Sequence, residues 1–135
     1  MQLIKLTDGL SVAGQPRPEN MAGLAAMGFQ HIVCNRPDGE VPGQPSMVDM
    51  EAAALAAGMS FTRYPVDVIN FPGQDPGGLA QIFDNGESVL AYCRTGTRCA
   101  NLWVVTREDS DYEAAVRTAR AIGFDLSLVD RHRHS

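Results

Sequence analysis

The chain has 135 residues, enough to bury one core but not two. Hydrophobic residues make up 44% and charged residues 20%, the balance of a soluble globular domain. A formal net charge of −5 disfavours nucleic acid and anionic membrane as partners.

The only lysine is Lys5; every other basic residue is an arginine, the side chain suited to bidentate contacts with anions. No apolar run reaches the ~18 residues of a membrane span. The N-terminal MQLIKLTDGL has no signal-peptide core, so the expected location is the cytoplasm. Three cysteines, with neither a C-x-x-C nor a histidine pair at ligand spacing, predict neither a disulfide framework nor a metal site. No organic cofactor is expected, and the sequence is silent on oligomeric state.

In chain order, residues 2–6 and 10–13 predict short strands around Asp8-Gly9. Pro18 opens a helix with Met21, Leu24 and Ala25 on its apolar face, ended by Gly28. HIVCN (31–35) reads as a buried strand, and RPDGEVPGQP (36–45) as a loop. Ser46 with Asp49 has the form of a capping box for an Ala-rich helix over 47–57. SFTRYPV (60–66) is the next strand, NFPGQDPGG (70–78) a loop and GLAQIFD (78–84) a short helix. VLAYC (89–93) reads as a central strand, followed by a helix that begins within 100–106. A last helix over 111–122 carries Tyr112, Ala115, Val116, Ala119 and Ile122 on one face. The polar tail 130–135 is expected to fray.

Strands alternating with helices imply a single α/β domain spanning 1–135, with a mostly parallel central sheet flanked by helices. Sites in such sheets lie beyond the carboxyl ends of strands. The loops 36–45, 67–78 and 93–98 should therefore meet at one edge.

The last of these reads C-R-T-G-T-R. A thiol between a strand and a helix N-terminus, with an arginine nearby, is placed to ionise below the ~8.5 of a free cysteine. Backbone N–H groups of Arg94, Thr95, Gly96 and Thr97 can form an anion nest, and Gly96 permits the positive φ that a tight curl needs. Arg98 offers a planar fork to an oxyanion. Cys93 is thus a candidate nucleophile toward a phosphoryl group or a sulfane sulfur. Amides converging above the Cys93 sulfur, with sulfate or phosphate bound, would support an anion site, and a Cys93 side chain packed away from solvent would sink both catalytic readings.

LSVAGQP (10–16), NRPDGEVPGQPS (35–46), YPV (64–66) and AYCRTGTR (91–98) together resemble the phosphatase-like domain family of bacterial beta-lactamase hydrolase-like proteins, over about residues 9–107. That family is a branch of the dual-specificity protein tyrosine phosphatase fold, the (phosphotyrosine protein phosphatase)-II-like architecture. The resemblance implies a cysteine-dependent phosphatase acting through a phosphocysteine, with Cys93 as nucleophile and Arg98 as anion clamp. It also implies a link to sulfide metabolism, because relatives occur fused to persulfide dioxygenases.

Three departures qualify the resemblance. Most tyrosine phosphatases carry His before the cysteine, five residues between Cys and Arg, and often Ser or Thr after the Arg. This chain carries Tyr92, four residues and Cys99. The short loop is also similar to that of rhodanese, which leaves open a sulfurtransferase carrying a persulfide on Cys93. A third reading is a non-catalytic module that retains an anion pocket.

The resemblance extends to further residues. Phosphatases of this fold often place a general-acid Asp on the loop where Asp67 lies, although a turn Asp explains that residue as well. Asp75 has the context of a turn. Asn35 and Arg36 could orient an anionic substrate, or Arg36 could pair with Asp38 and hold the loop together. Cys34 or Cys99 could trap an oxidised Cys93 as a disulfide, or each could be small buried filler. His31 and Trp103 read as core, and His132 and His134 as parts of a charged tail with no ligand role.

Overall fold

The strand that leads into Cys93 lies at the centre of the sheet. In a computed structural model, which describes residues 1–133, the strands are β1 (Leu3–Thr7), β2 (Leu10–Ala13), β3 (His31–Cys34), β4 (Ser60–Arg63) and β5 (Val89–Tyr92). Their order is β1-β2-β5-β3-β4, antiparallel only between β1 and β2. All four residues of β3 and all four of β5 are buried, as a strand covered by helices on both faces requires.

Alternation sorts the side chains onto two faces. Leu10, Val12, Val33, Val89 and Ala91 belong to one apolar cluster, with Leu79, Leu102, Ala115 and Val129 from helices α3 (Pro76–Asp84), α4 (Thr97–Val105), α5 (Asp109–Ile122) and α6 (Ser127–Arg133). Ala13, Ile32, Cys34, Leu90 and Tyr92 belong to a second cluster, with Leu24 and Met50 from α1 (Met21–Ala26) and α2 (Met47–Ala56). The domain is therefore a mostly parallel α/β sheet flanked by helices, as its alternating elements predict.

The local signals account for most helix ends. Ser46 caps α2 through its hydroxyl, which accepts the Asp49 N–H at 3.1 Å. Asp38 accepts the next orphan donor, the Met47 N–H, at 2.8 Å. Pro18–Asn20 forms a 3-10 turn that feeds α1. α3 starts at Pro76, two residues earlier than its apolar pattern suggests, because Asp75 caps it by accepting the Gly78 N–H at 3.0 Å. β4 stops at Arg63 because Pro65 has no N–H to donate. Tyr64 and Val66 on either side still bond to Cys34 O and Asn35 O, at 2.9 and 3.0 Å.

Two expectations need correction. The tail predicted to fray over 130–135 stays helical to Arg133. α6 buries Val129 completely, and the Val129 N–H donates to Asn101 Oδ1 at 3.2 Å. The Arg133 guanidinium lies 3.8 Å over the Tyr112 ring. His134 and Ser135 of that tail lie outside the described residues. Ile122, placed by period on the buried face of α5, is 42% exposed where the helix ends before Gly123. Among the described residues no helix is long and apolar enough to cross a membrane.

Candidate active site

Cys93 leaves β5 between two neighbouring strand ends. Its N–H donates to Ala13 O at 3.2 Å, and Asn35 N donates to Tyr92 O at 2.8 Å. The chain then turns within three residues and enters α4 at Thr97. Gly96 takes the left-handed conformation the turn demands, with φ of 92°. Gly14 permits the close approach on the other side, since a Cβ there would lie 2.9 Å from Arg94 O.

This curl wraps the sulfur. The Gly96 N–H donates to Cys93 Sγ at 3.0 Å, and the N–H groups of Thr95 and Cys99 also donate to it. The Cys99 thiol donates as well, and it is the largest influence on the Cys93 thiol. Together these donors outweigh desolvation and pull the pKa of Cys93 down to about 5. Cys99 moves the opposite way: complete burial, reinforced by its bond to Cys93, holds that thiol protonated. The pair gives up one proton easily and retains the second.

Cys93 is only 1% exposed. Much of its cover is its own loop, whose Arg94 and Thr95 face solvent. The sulfur is thus bonded by its loop, as an anion site requires, while the side chain is packed away from solvent, which as the loop stands counts against both catalytic readings. Chemistry at this sulfur would require the loop to move aside. Beside the loop lies a cleft of about 380 Å³, walled by Gly14, Gln15, Arg94 and Thr95.

Arg98 follows on the first turn of α4. Its Nη1 and Nη2 donate to Glu40 Oε2 and Oε1, both at 2.8 Å, and Nη1 also donates to Val66 O at 2.9 Å. These bonds take both Nη1 hydrogens and one on Nη2. Among the described residues, the Nε edge of the guanidinium is the edge left for a bidentate anion. Glu40 also accepts Arg36 Nε at 2.9 Å. Held first by Arg98 and then by Arg36, its carboxyl ionises below the usual range.

Glu40 is the residue that sequence reasoning missed. It belongs to the NRPDGE motif, but nothing in one sequence links it to an arginine 58 positions away. Its two arginines explain much of that motif. Arg36 is 3% exposed and spends its donors on Glu40 and on Gln15 Oε1, the latter at 3.1 Å. It pairs with Glu40 rather than Asp38, whose carboxylate caps α2. Gln44 completes the loop by donating to Pro37 O at 2.8 Å and accepting the Glu40 N–H at 3.1 Å.

The remaining candidates fall into place around this centre. Asn35 is fully buried and donates to Tyr64 O at 3.0 Å, bracing two strand ends. Thr95 Oγ1 donates to Thr97 Oγ1 at 3.2 Å on the exposed side of the loop. Asp67 is exposed, and its Oδ1 accepts the N–H groups of Ile69 and Asn70 at 2.8 Å each, which is turn chemistry. It directly follows Val66, the residue that receives Arg98. Asp75 caps α3. Cys34 donates to Arg36 O at 3.2 Å, and burial pushes its thiol up. His31 bonds Thr62 Oγ1 at 2.7 Å inside the sheet, and Trp103 is buried with Arg107 over its ring.

Comparison with known proteins points the same way as the cysteine loop. The family model described as "Beta-lactamase hydrolase-like protein, phosphatase-like domain" matches residues 2–110. The beta-lactamase hydrolase-like protein of Agrobacterium fabrum is 35% identical over 97% of this chain, and its namesake in Xylella fastidiosa is 31% identical over 93%. The chain spans 31% and 30% of the lengths of those two relatives. A solved structure of a candidate phosphatase from Neisseria meningitidis is 32% identical with a TM-score of 0.80, covering 97% of this chain and 96% of its own. PTPMT1, solved in complex with PI(5)P, has a TM-score of 0.71 at 14% identity, covering 98% of this chain and 95% of its own; it shares the fold.

Proposed function

The chain belongs to the phosphatase-like domain family of beta-lactamase hydrolase-like proteins, and from that premise we propose that it is a cysteine-dependent phosphatase acting on an anionic phosphate ester. The observation that carries this reading is the Cys93 sulfur, which accepts the Gly96 N–H at 3.0 Å at the N-terminus of α4 with Arg98 on the first turn, a setting that favours its ionised form.

In the proposed reaction the Cys93 sulfur attacks phosphorus as the ester P–O bond breaks. The Nε edge of Arg98 and the first-turn amides of Thr97 and Arg98, which have no acceptor within the helix, bind the phosphoryl oxygens. Asp67, next to the Arg98 contact at Val66, protonates the leaving oxygen. Water then cleaves the P–S bond. The departing thiolate is received by the amides and by the Cys99 S–H, which does here what a hydroxyl after the arginine does in other phosphatases. No metal or organic cofactor enters these steps.

A second reading, sulfur transfer through a persulfide on Cys93, is favoured by one observation. The four-residue interval closes so tightly on the sulfur that Cys93 is 1% exposed, a space better suited to a single added atom than to a phosphoryl group. The test is turnover of an aryl phosphate by wild type and Cys93→Ser, alongside intact mass after thiosulfate. Turnover lost in the variant is the expected result. Gain of one sulfur on Cys93 without phosphate turnover replaces the phosphatase reading with the second. Neither outcome rejects catalysis and leaves an anion-binding module.

A further inference from the structure

We infer that the side chain of Arg94 determines specificity by reading a second anionic group, a carboxylate or a further phosphate, on the substrate of the Cys93 site. The inference rests on the reading of that site as one that cleaves phosphate esters. It names the class of ester: a phosphate monoester whose alcohol carries its own negative charge.

The position follows from the chain itself. Arg94 is the residue after Cys93, about 3.8 Å away between Cα atoms, so its guanidinium stays near the reacting sulfur however the loop is placed. Arg94 O packs against Gly14, where a Cβ would lie at 2.9 Å, and the residue is exposed. With Gly14 and Gln15 it walls the cleft of about 380 Å³ beside the loop. Small-ligand sites occupy about 300–1,000 Å³, so the cleft has room for the alcohol part of an ester.

Three observations give this cleft its charge preference. Among the described residues, no hydrogen bond, ion pair or ring contact engages the Arg94 guanidinium. The other two arginines of the site are committed. Arg36 donates to Glu40 and Gln15, and Arg98 to Glu40 and Val66 O, with one edge of Arg98 left for the scissile phosphoryl group. Among the described residues, no Asp or Glu lines the cleft. The neighbouring cleft across Gln15 differs, since Glu19 accompanies its Arg17. Gln15 and Thr95 add no competing charge and are engaged locally: Gln15 accepts from Arg36 and donates to Pro16 O, and Thr95 donates to Thr97. The wall thus presents one positive charge that nothing around it neutralises. In a chain of net charge −5 that field is local, and it favours a substrate with one anion for Arg98 and another for Arg94. A planar fork suits carboxylate and phosphate alike.

The experiment compares phenyl phosphate with the same ester carrying a carboxylate or a second phosphate at the meta position. Wild type, Arg94→Gln and Arg94→Lys are each assayed. The quantity read is the ratio of kcat/KM for each anionic ester to that for phenyl phosphate, so effects common to all esters cancel. Arg94→Gln should lower the ratio about 5–10-fold, between the worth of an exposed ion pair and that of a charged hydrogen bond. Arg94→Lys should restore most of it. High salt should shrink the wild-type preference and leave that of Arg94→Gln little changed, which a merely structural role would not produce. A parallel titration measures binding of phenylphosphonate and meta-carboxyphenylphosphonate, which are not hydrolysed. It should show the same loss of preference in Arg94→Gln. Turnover with equal ratios in wild type and Arg94→Gln overturns the inference and leaves the phosphatase reading standing. A binding preference without turnover supports the Arg94 subsite and rejects the phosphatase reading. Neither turnover nor binding of any probe overturns both.

Discussion

Replacing Cys99 with alanine should raise the ionisation midpoint of Cys93. The Cys99 S–H is the largest of the interactions that lower it, while the amides of Thr95, Gly96 and Cys99 remain in the variant. A hydrogen bond to a charged group contributes ~1.5–3 kcal/mol, which at 1.36 kcal/mol per pH unit moves a midpoint by about one to two units. The wild-type midpoint of about 5 should therefore move to about 6–7 in Cys99→Ala. Cys99→Ser, which keeps a donor, should stay near the wild type. The assay is the rate of Cys93 alkylation by iodoacetamide across pH, read by mass on the Cys93 peptide. The rate should be low below the midpoint and reach a plateau above it. Coincident midpoints in all three proteins, or a wild-type midpoint near the ordinary 9.0, would refute the argument. The same shift bears on folding. A thiol whose folded pKa lies below its unfolded value stabilises the fold fully above about pH 9.0, and that stabilisation is lost as pH falls through about 5.

Other expectations test the surroundings of the loop. Glu40→Gln removes the charge shared by Arg98 and Arg36 and should lower stability by about 1–3 kcal/mol in urea titrations at neutral pH. Because the Glu40 carboxyl is depressed below its usual 4.5, the gap to wild type should be full above that pH and close as wild-type Glu40 itself protonates in stronger acid. Gly14→Ala sets a Cβ 2.9 Å from Arg94 O, so it should cost about 1–3 kcal/mol and raise the Cys93 alkylation midpoint; an unchanged pH profile would show that the loop tolerates the intrusion. Asp67→Asn should slow aryl phosphates with poor leaving groups far more than those with good ones. Equal slowing, or none, would leave Asp67 as the turn residue that its bonds to Ile69 and Asn70 describe.

The parts of the fold that were legible in the sequence are those written locally. VLAY and HIVC are apolar on both faces, which only a covered parallel strand explains. Ser46 announces a helix start through a short polar side chain at the right offset, whereas Asp75, with the context of a turn, did not disclose that it caps α3. α6 was not legible because its segment is mostly polar and rests on few apolar anchors, chiefly Leu126 and Val129. The site divides in the same way. Cys93, Gly96 and Arg98 lie within one turn of chain, and their arrangement follows from the strand, the glycine and the helix start. The Glu40 contact spans 58 positions and exists only once the fold has closed. Cys34 and Cys99 stayed open as partners because parity along a strand shows which residues share a face, but the register between β3 and β5 does not appear in either segment alone.

The length of the loop links these features. With four residues between Cys93 and Arg98, the chain turns tightly enough for three amides and the Cys99 thiol to reach one sulfur. Each donor directed at the sulfur favours its ionisation, and none of them is free at the same moment to hold an oxyanion. A low thiol pKa and a small anion nest are thus two results of the same geometry. Charge on a substrate must then be met mainly by the open edge of Arg98. That edge is kept in position by Glu40, whose carboxylate takes the other side of the guanidinium and is itself fixed by Arg36 and Gln44. The loop over 36–45 therefore supplies the support that a short cysteine loop does not provide for itself, which is a physical reason for the two segments to occur together in one chain.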